Sequence, residues 1–151
     1  MKEFNSINDI LDFAIEQEQG AVDFYNDLAV KVDHEIMKKT FVQFAQEEMG
    51  HKAKILDVKQ KGIFEVATEK IMDLKISDYV VKAEASPDMT YQEALILAMN
   101  KEKHAFKLYH NLSEKAPNTE LKNLFLMLAQ EESKHKLRFE LEYDEFVLME
   151  N

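Results

Sequence analysis

The chain contains no cysteine and no tryptophan, and only three glycines and two prolines occur among its 151 residues. The lack of cysteine excludes disulfides, thiolate metal sites and a thiol nucleophile. So few glycines and prolines leave little material for turns, while 46% of the residues are hydrophobic. This composition favours an all-α protein with long helices and few loops, and the length suits a single domain, residues 1–151.

Long apolar runs are also lacking, and the 29 acidic residues outnumber the 19 lysines and arginines. No stretch reaches the roughly 18 consecutive apolar residues that a membrane-spanning helix needs, and the formal net charge is −10. We therefore expect neither a membrane nor a nucleic acid as a partner. The segment from Met1 to Phe4 begins no apolar signal region, so the expected location is the cytoplasm.

The motif EExxH occurs twice, beginning at Glu47 and at Glu131. The second copy lies 84 residues after the first, and the same offset relates further identical residues: Glu18 and Glu102, Ala21 and Ala105, Tyr25 and Tyr109, Phe41 and Phe125. Because no gap is needed, two copies of one helical hairpin are the simplest interpretation. We assign the copies to residues 6–60 and 90–144, joined by a crossover over residues 61–89.

Apolar residues recur at three- and four-residue steps in four segments. This spacing predicts helices at about 7–31, 35–60, 91–115 and 118–148. Ser6 and Thr90 are suited to cap the first and third helices, and Gly62 lies where a left-handed cap would end the second. Within the crossover we expect a short helix over 71–81 and a turn at Ser86-Pro87-Asp88.

The inner face of each predicted hairpin carries two glutamates at equal distances from the turn. The turns fall at Asp33 and Pro117, and the glutamate pairs are Glu18 with Glu48 and Glu102 with Glu132. In an antiparallel helix pair, residues equidistant from the turn lie at the same height. All four carboxylates should therefore meet at one level of the bundle.

Four carboxylates inside an apolar bundle require positive charge, because desolvation and mutual repulsion would otherwise be prohibitive. His51 and His135 follow Glu48 and Glu132 by three residues and project to the same place. One Glu from each of two helices and a Glu-x-x-His from each of the others form a carboxylate-bridged di-metal site. The predicted ligands are Glu18, Glu48, His51, Glu102, Glu132 and His135, with Glu48 and Glu132 bridging.

Tyrosines and further polar residues lie near these ligands. Tyr25 and Tyr109 follow Glu18 and Glu102 by two helical turns, so that their hydroxyls could hydrogen-bond a metal-bound carboxylate; plain core tyrosines are the alternative. The repeated Glu47 and Glu131 lie off the inner face, which favours a solvated or inter-helix role over ligation. Three histidines without a ligand counterpart are predicted at the surface: His34, His104 and His110.

The pattern of these ligands and tyrosines resembles that of the ferritin-like di-iron superfamily, most closely that of its rubrerythrin-like branch. The resemblance implies a ferritin-like four-helix bundle with a long crossover between helices two and three. It also implies a non-haem centre of two iron ions, with manganese as the alternative metal, whose diferrous form reduces hydrogen peroxide or O2. The chain lacks the paired CxxC motifs of a rubredoxin module, so its electrons are expected from a separate donor protein such as a rubredoxin.

Two departures from this family pattern affect the expected function. Rubrerythrins usually carry a glutamate one turn after the helix-three ligand, where this chain has Ala105, and this weakens a peroxidase assignment. The hairpins are shorter than those of storage ferritins, which disfavours an iron cage; paired hydrophobic faces suggest a homodimer. Two alternatives therefore stay open, a ferroxidase that stores or delivers iron and a non-catalytic, metal-stabilised bundle.

Overall fold

The computed structural model describes residues 6–62, 89–116 and 118–150. They form four α-helices: α1 (Ile7–Lys31), α2 (Glu35–Lys61), α3 (Tyr91–Lys115) and α4 (Thr119–Glu150). The predicted bounds of α1 and α3 agree with the structure, whereas α2 ends one residue later than predicted and α4 is shifted by one or two residues at its ends. The predicted all-α, four-helix architecture is confirmed.

The helix ends follow from local hydrogen bonding. The Ser6 hydroxyl accepts a hydrogen bond of 3.1 Å from the backbone N–H of Asp9. Thr90 and Glu93 form a reciprocal capping box at the start of α3, which satisfies two amide groups that the helix itself cannot pair. Gly62 ends α2 with φ of 61°, a left-handed conformation that glycine adopts without steric strain.

The helices pair as two hairpins, α1 with α2 and α3 with α4. One apolar cluster joins the start of α1 to the end of α3, and a second joins the end of α1 to the start of α3. Helices α1 and α3 are therefore antiparallel, and the end of α2 and the start of α3 lie at opposite ends of the bundle.

Several predictions fall outside the described residues. They concern the crossover (61–89) apart from its ends, its expected helix at 71–81 and its turn at Ser86-Pro87-Asp88. The division into one domain with repeats 6–60 and 90–144 stays a prediction. None of the helices in the described ranges is long and apolar enough to cross a membrane.

The two apolar clusters leave a polar layer between them. The first cluster includes Leu11 and Leu128, and the second includes Leu28 and Phe139. The layer contains six buried residues that can ionise: Glu18, Glu48, His51, Glu102, Glu132 and His135. Hydrophobic packing thus fixes the helices on both sides of the charged residues.

Candidate metal centre

The six predicted ligands all lie together in the polar layer, and each is no more than 5% exposed. Helices α1 and α3 contribute one glutamate each. Helices α2 and α4 contribute a glutamate and a histidine one turn later, which the helical period places on the same face. Such burial of four carboxyl groups is rare unless a cation or a specific partner compensates them.

The donor atoms form two overlapping groups. One contains Glu18, Glu48, His51 and Glu132, and the other contains Glu48, Glu102, Glu132 and His135. Within each group the donor atoms lie within 4.8 Å of one another. Ligands on opposite sides of one ion, with bonds of about 2.1 Å, lie roughly 4 Å apart. Each group therefore has the size of one metal site, and the shared residues are Glu48 and Glu132.

Each of the six residues presents one buried donor atom that has no hydrogen-bond partner: Glu18 Oε2, Glu48 Oε1, His51 Nδ1, Glu102 Oε2, Glu132 Oε1 and His135 Nδ1. His51 Nδ1 lies only 3.0 Å from Glu132 Oε1, yet the two atoms form no hydrogen bond. An unsatisfied buried polar atom costs about 1–3 kcal/mol, so six at one place favour a bound cation as a further partner beside the neighbouring side chains. Two divalent cations fit this set of oxygen and nitrogen donors.

Two tyrosines brace α1 against α3. The Tyr25 hydroxyl donates a hydrogen bond to Glu102 Oε1, and the Tyr109 hydroxyl donates one of 2.5 Å to Glu18 Oε1. Each tyrosine therefore binds the glutamate of the other hairpin. In both glutamates the tyrosine hydroxyl binds Oε1, while Oε2 has no hydrogen-bond partner.

Glu47 contacts a predicted ligand that the sequence did not associate with it. Its Oε2 lies 3.3 Å from Nε2 of His135, and the Phe44 ring stacks on His135 with 3.9 Å between ring centroids. The His135 ring is thereby held in place with Nδ1 facing the other donors. Glu131, the repeat equivalent of Glu47, instead lies 3.5 Å from Lys134. The inter-helix alternative thus describes Glu47, and no feature of the repeated motif distinguishes Glu47 from Glu131 in advance.

The remaining described histidines lie away from the centre. His34 caps α2 by accepting the backbone N–H of Met37. His104 Nδ1 lies 2.8 Å from the carbonyl oxygen of Asn100, one turn earlier in α3. His110, also in α3, is exposed. None of the three belongs to either group of donor atoms.

Without metal, the centre retains protons. Burial, followed by repulsion from neighbouring carboxylates, raises the pKa of Glu48 and of Glu132 well above the ordinary value. Burial also tends to raise the pKa of Glu102, but its contacts with Glu132, His135 and Tyr25 hold that pKa below the ordinary value. Burial disfavours a charged His51, yet the carboxylates of Glu132 and Glu18 raise its pKa to about 10. Protons thus take the place of metal charge, and metal binding must displace them.

A four-helix bundle whose two groups of buried carboxylate and histidine donors share Glu48 and Glu132 fits the class of ferritin-like proteins, and these donors could hold metal. The Rubrerythrin family model matches residues 9–90 and 93–151, and the chain belongs to that family. The rubrerythrin-like resemblance seen in the sequence is therefore confirmed.

Two solved structures share the fold. A Thermotoga maritima protein described as ferritin-like and diiron-carboxylate has 22% identity and a TM-score of 0.78, with 96% of this chain and 98% of that chain covered. A hypothetical protein from Pyrococcus furiosus has 26% identity and a TM-score of 0.71, with 92% of this chain and 89% of that one covered. No curated protein sequence matches the chain.

Replacing Tyr25 or Tyr109 with phenylalanine should weaken metal binding roughly 10- to 100-fold, the usual effect of losing a hydrogen bond to a ligand. Each substitution removes one hydroxyl and frees the carboxylate of Glu102 or Glu18 to turn. Isothermal titration with a divalent metal would measure the change. Tyr91→Phe is the control, because that hydroxyl binds Glu142 outside the centre; equal losses in all three variants would contradict the bracing role.

Replacing Glu47 with glutamine should lower the affinity of only one of the two metal positions, by about tenfold. The substitution removes the negative charge beside His135 Nε2 and leaves the other group of donors unchanged. Stepwise titration with Co(II), followed by visible absorption, would resolve the two binding steps. Glu131→Gln is the matched control, and indistinguishable titrations for both variants and the unaltered protein would refute the asymmetry.

Proposed function

We propose that the protein is a non-haem di-iron oxidoreductase that reduces hydrogen peroxide or O2 with electrons from a separate donor protein. The observation that carries the proposal is the convergence of six donor atoms without hydrogen-bond partners, one from each of six buried residues, in two groups that share Glu48 and Glu132. Membership of the rubrerythrin family supports iron and redox chemistry at such a centre.

The six proposed ligands would bind the two ions in different ways. Glu48 and Glu132 would bind both and keep them close together. Glu18 with His51 would complete one position, and Glu102 with His135 the other. Iron held there would supply Lewis acidity and one electron from each ion.

Tyr25 and Tyr109 act as fixed hydrogen-bond donors at the edge of the centre. Burial, together with the charge of nearby glutamates, raises the pKa of both hydroxyls well above the ordinary value. Both tyrosines therefore stay protonated at neutral pH and keep Glu102 and Glu18 oriented. Reduction of one peroxide molecule to two water molecules consumes two electrons and two protons. Because residues 1–151 contain no cysteine, we assign the supply of those electrons to an external donor such as a rubredoxin.

Anaerobic loading with Fe(II), followed by rapid mixing with H2O2 and separately with O2, tests the proposal. We expect one equivalent of H2O2 to oxidise both ferrous ions of a chain, as recorded by ferric absorbance. Chemical re-reduction should restore the ferrous form for further cycles without loss of iron. Oxidation no faster than that of free Fe(II) would overturn the proposal. Uptake of many ferric ions per chain would instead establish the iron-storage alternative.

A further inference from the structure

A cavity of about 180 Å³ lies between α1 and α3 and reaches the centre. Its inner wall includes six residues that are almost fully buried: Glu18, Tyr25, Glu48, Glu102, Tyr109 and Glu132. Its outer wall consists of exposed or partly exposed residues: Glu16, Gln17, Gly20, Ala21, Lys101 and Ala105. The cavity therefore joins the protein surface to all four carboxylates.

Small residues along the edge where α1 and α3 meet account for this opening. Ala21 and Ala105 follow Glu18 and Glu102 by three residues, so each lies one turn further along the same helix face. Gly20 adds no side chain to the rim, and a Cβ built at this position meets no atom within 4 Å. The repeat thus places an alanine beside the glutamate on both sides of the cavity.

Aromatic rings pack around the opposite side of the centre. Phe44 stacks on His135 and packs edge-on against Phe139. Phe41 completes this aromatic group, with 5.8 Å between its ring centroid and that of Phe139. Entry from that side would require close-packed rings to separate, whereas the cavity between α1 and α3 needs no such movement.

We infer that the cavity between α1 and α3 is the route by which exogenous ligands reach the metal centre, and that the small residues Gly20, Ala21 and Ala105 keep this route open. The inference rests on the proposed di-metal site. Pockets for drug-sized ligands enclose about 300–1,000 Å³, and a water molecule occupies about 30 Å³ in the liquid. A cavity of about 180 Å³ therefore has room for small molecules such as H2O2 or O2 and is smaller than the usual pocket for a drug-sized ligand.

Azide binding to the iron-loaded, oxidised protein tests the entrance without relying on turnover. The association rate constant is measured by stopped-flow absorbance of the azide–ferric charge-transfer band. Gly20→Phe and Ala105→Leu narrow the rim from α1 and from α3. Gly50→Phe is the matched control, because it is also a mid-helix glycine whose added Cβ meets no atom within 4 Å, but it does not line the cavity.

We expect both narrowed variants to keep two metal ions per chain and to bind azide at least about tenfold more slowly, while Gly50→Phe binds it at the original rate. If Ala105→Leu does not fold, Gly20→Phe decides. Unchanged azide rates in the narrowed variants would overturn the inference and leave the proposed reaction intact. Slowed azide binding in a protein that does not reduce peroxide or O2 would support the entrance and refute the reaction.

Discussion

Glu132→Gln should reduce the metal content of the reconstituted protein from two ions per chain to fewer than one. Glu132 belongs to both groups of donor atoms, so the loss of its charge weakens both positions at once. Residues that only orient a ligand change affinity about 10- to 100-fold, and the loss of a shared ligand should exceed this. Glu48→Gln should have the same effect, because Glu48 is the other shared residue.

The neighbouring residue provides a control of equal charge and size. Glu131→Gln also removes one negative charge from α4, but Glu131 lies beside Lys134 and belongs to neither group of donor atoms. It should keep two ions per chain. Elemental analysis after gel filtration measures both variants, and equal metal loss at positions 131 and 132 would show that the inner face of α4 is wrongly assigned.

Metal-free protein should become more stable as the pH falls from 7 to 5, whereas metal-loaded protein should become less stable. The raised pKa values of Glu48 and Glu132 mean that the folded state binds more protons than the unfolded chain in this window. The free energy of unfolding therefore increases as protons are added. For loaded protein the sign reverses, because acid protonates the ligands and releases metal.

The other shifted groups do not reverse the expected slope. His51, with a pKa of about 10, and His135, with a raised pKa, contribute stability that is complete below about pH 6.5 and is lost as the pH rises. Glu102, with a lowered pKa, contributes stability above its unfolded pKa of about 4.3 and loses it only in stronger acid. Its loss therefore falls below the window.

Thermal melts of both forms between pH 5 and 7 measure the difference. Metal at a hundredfold excess over its dissociation constant contributes about 2.7 kcal/mol per site. Two sites should raise the midpoint at pH 7 by roughly 10–20 °C for a domain of this size. The metal-free double variant Glu48→Gln, Glu132→Gln should lose most of the pH slope. Parallel curves for the loaded and metal-free proteins would mean that the carboxylates are solvated.

Within each hairpin, much of the fold could be predicted from the sequence. The 84-residue repeat and the capping residues Ser6 and Thr90 defined α1 and α3 to the residue. The equal spacing of Glu18 and Glu48 about Asp33 placed them at one height, and the structure brings both into one group of donors. Helical geometry alone is sufficient for such predictions, because the loop that joins two helices of a hairpin fixes their register.

Contacts between the hairpins could not be predicted in this way. No local signal states which residue of α3 faces Tyr25, so its bond to Glu102 required the antiparallel register of α1 and α3. The same limitation concealed the contact between Glu47 and His135. The cavity likewise depends on which residues of α1 and α3 lie next to each other. Ala105 lines it only because tertiary packing brings these two helices together.

Crystallography of the iron-loaded protein, with anomalous diffraction recorded at the iron absorption edge, tests the binuclear centre most directly. We expect two anomalous peaks per chain about 3.5–4 Å apart, the spacing of two-metal sites. Both should lie between Glu48 and Glu132, one beside Glu18 and His51 and the other beside Glu102 and His135. A single peak, or peaks confined to the protein surface while the six side chains remain unliganded, would contradict the assignment.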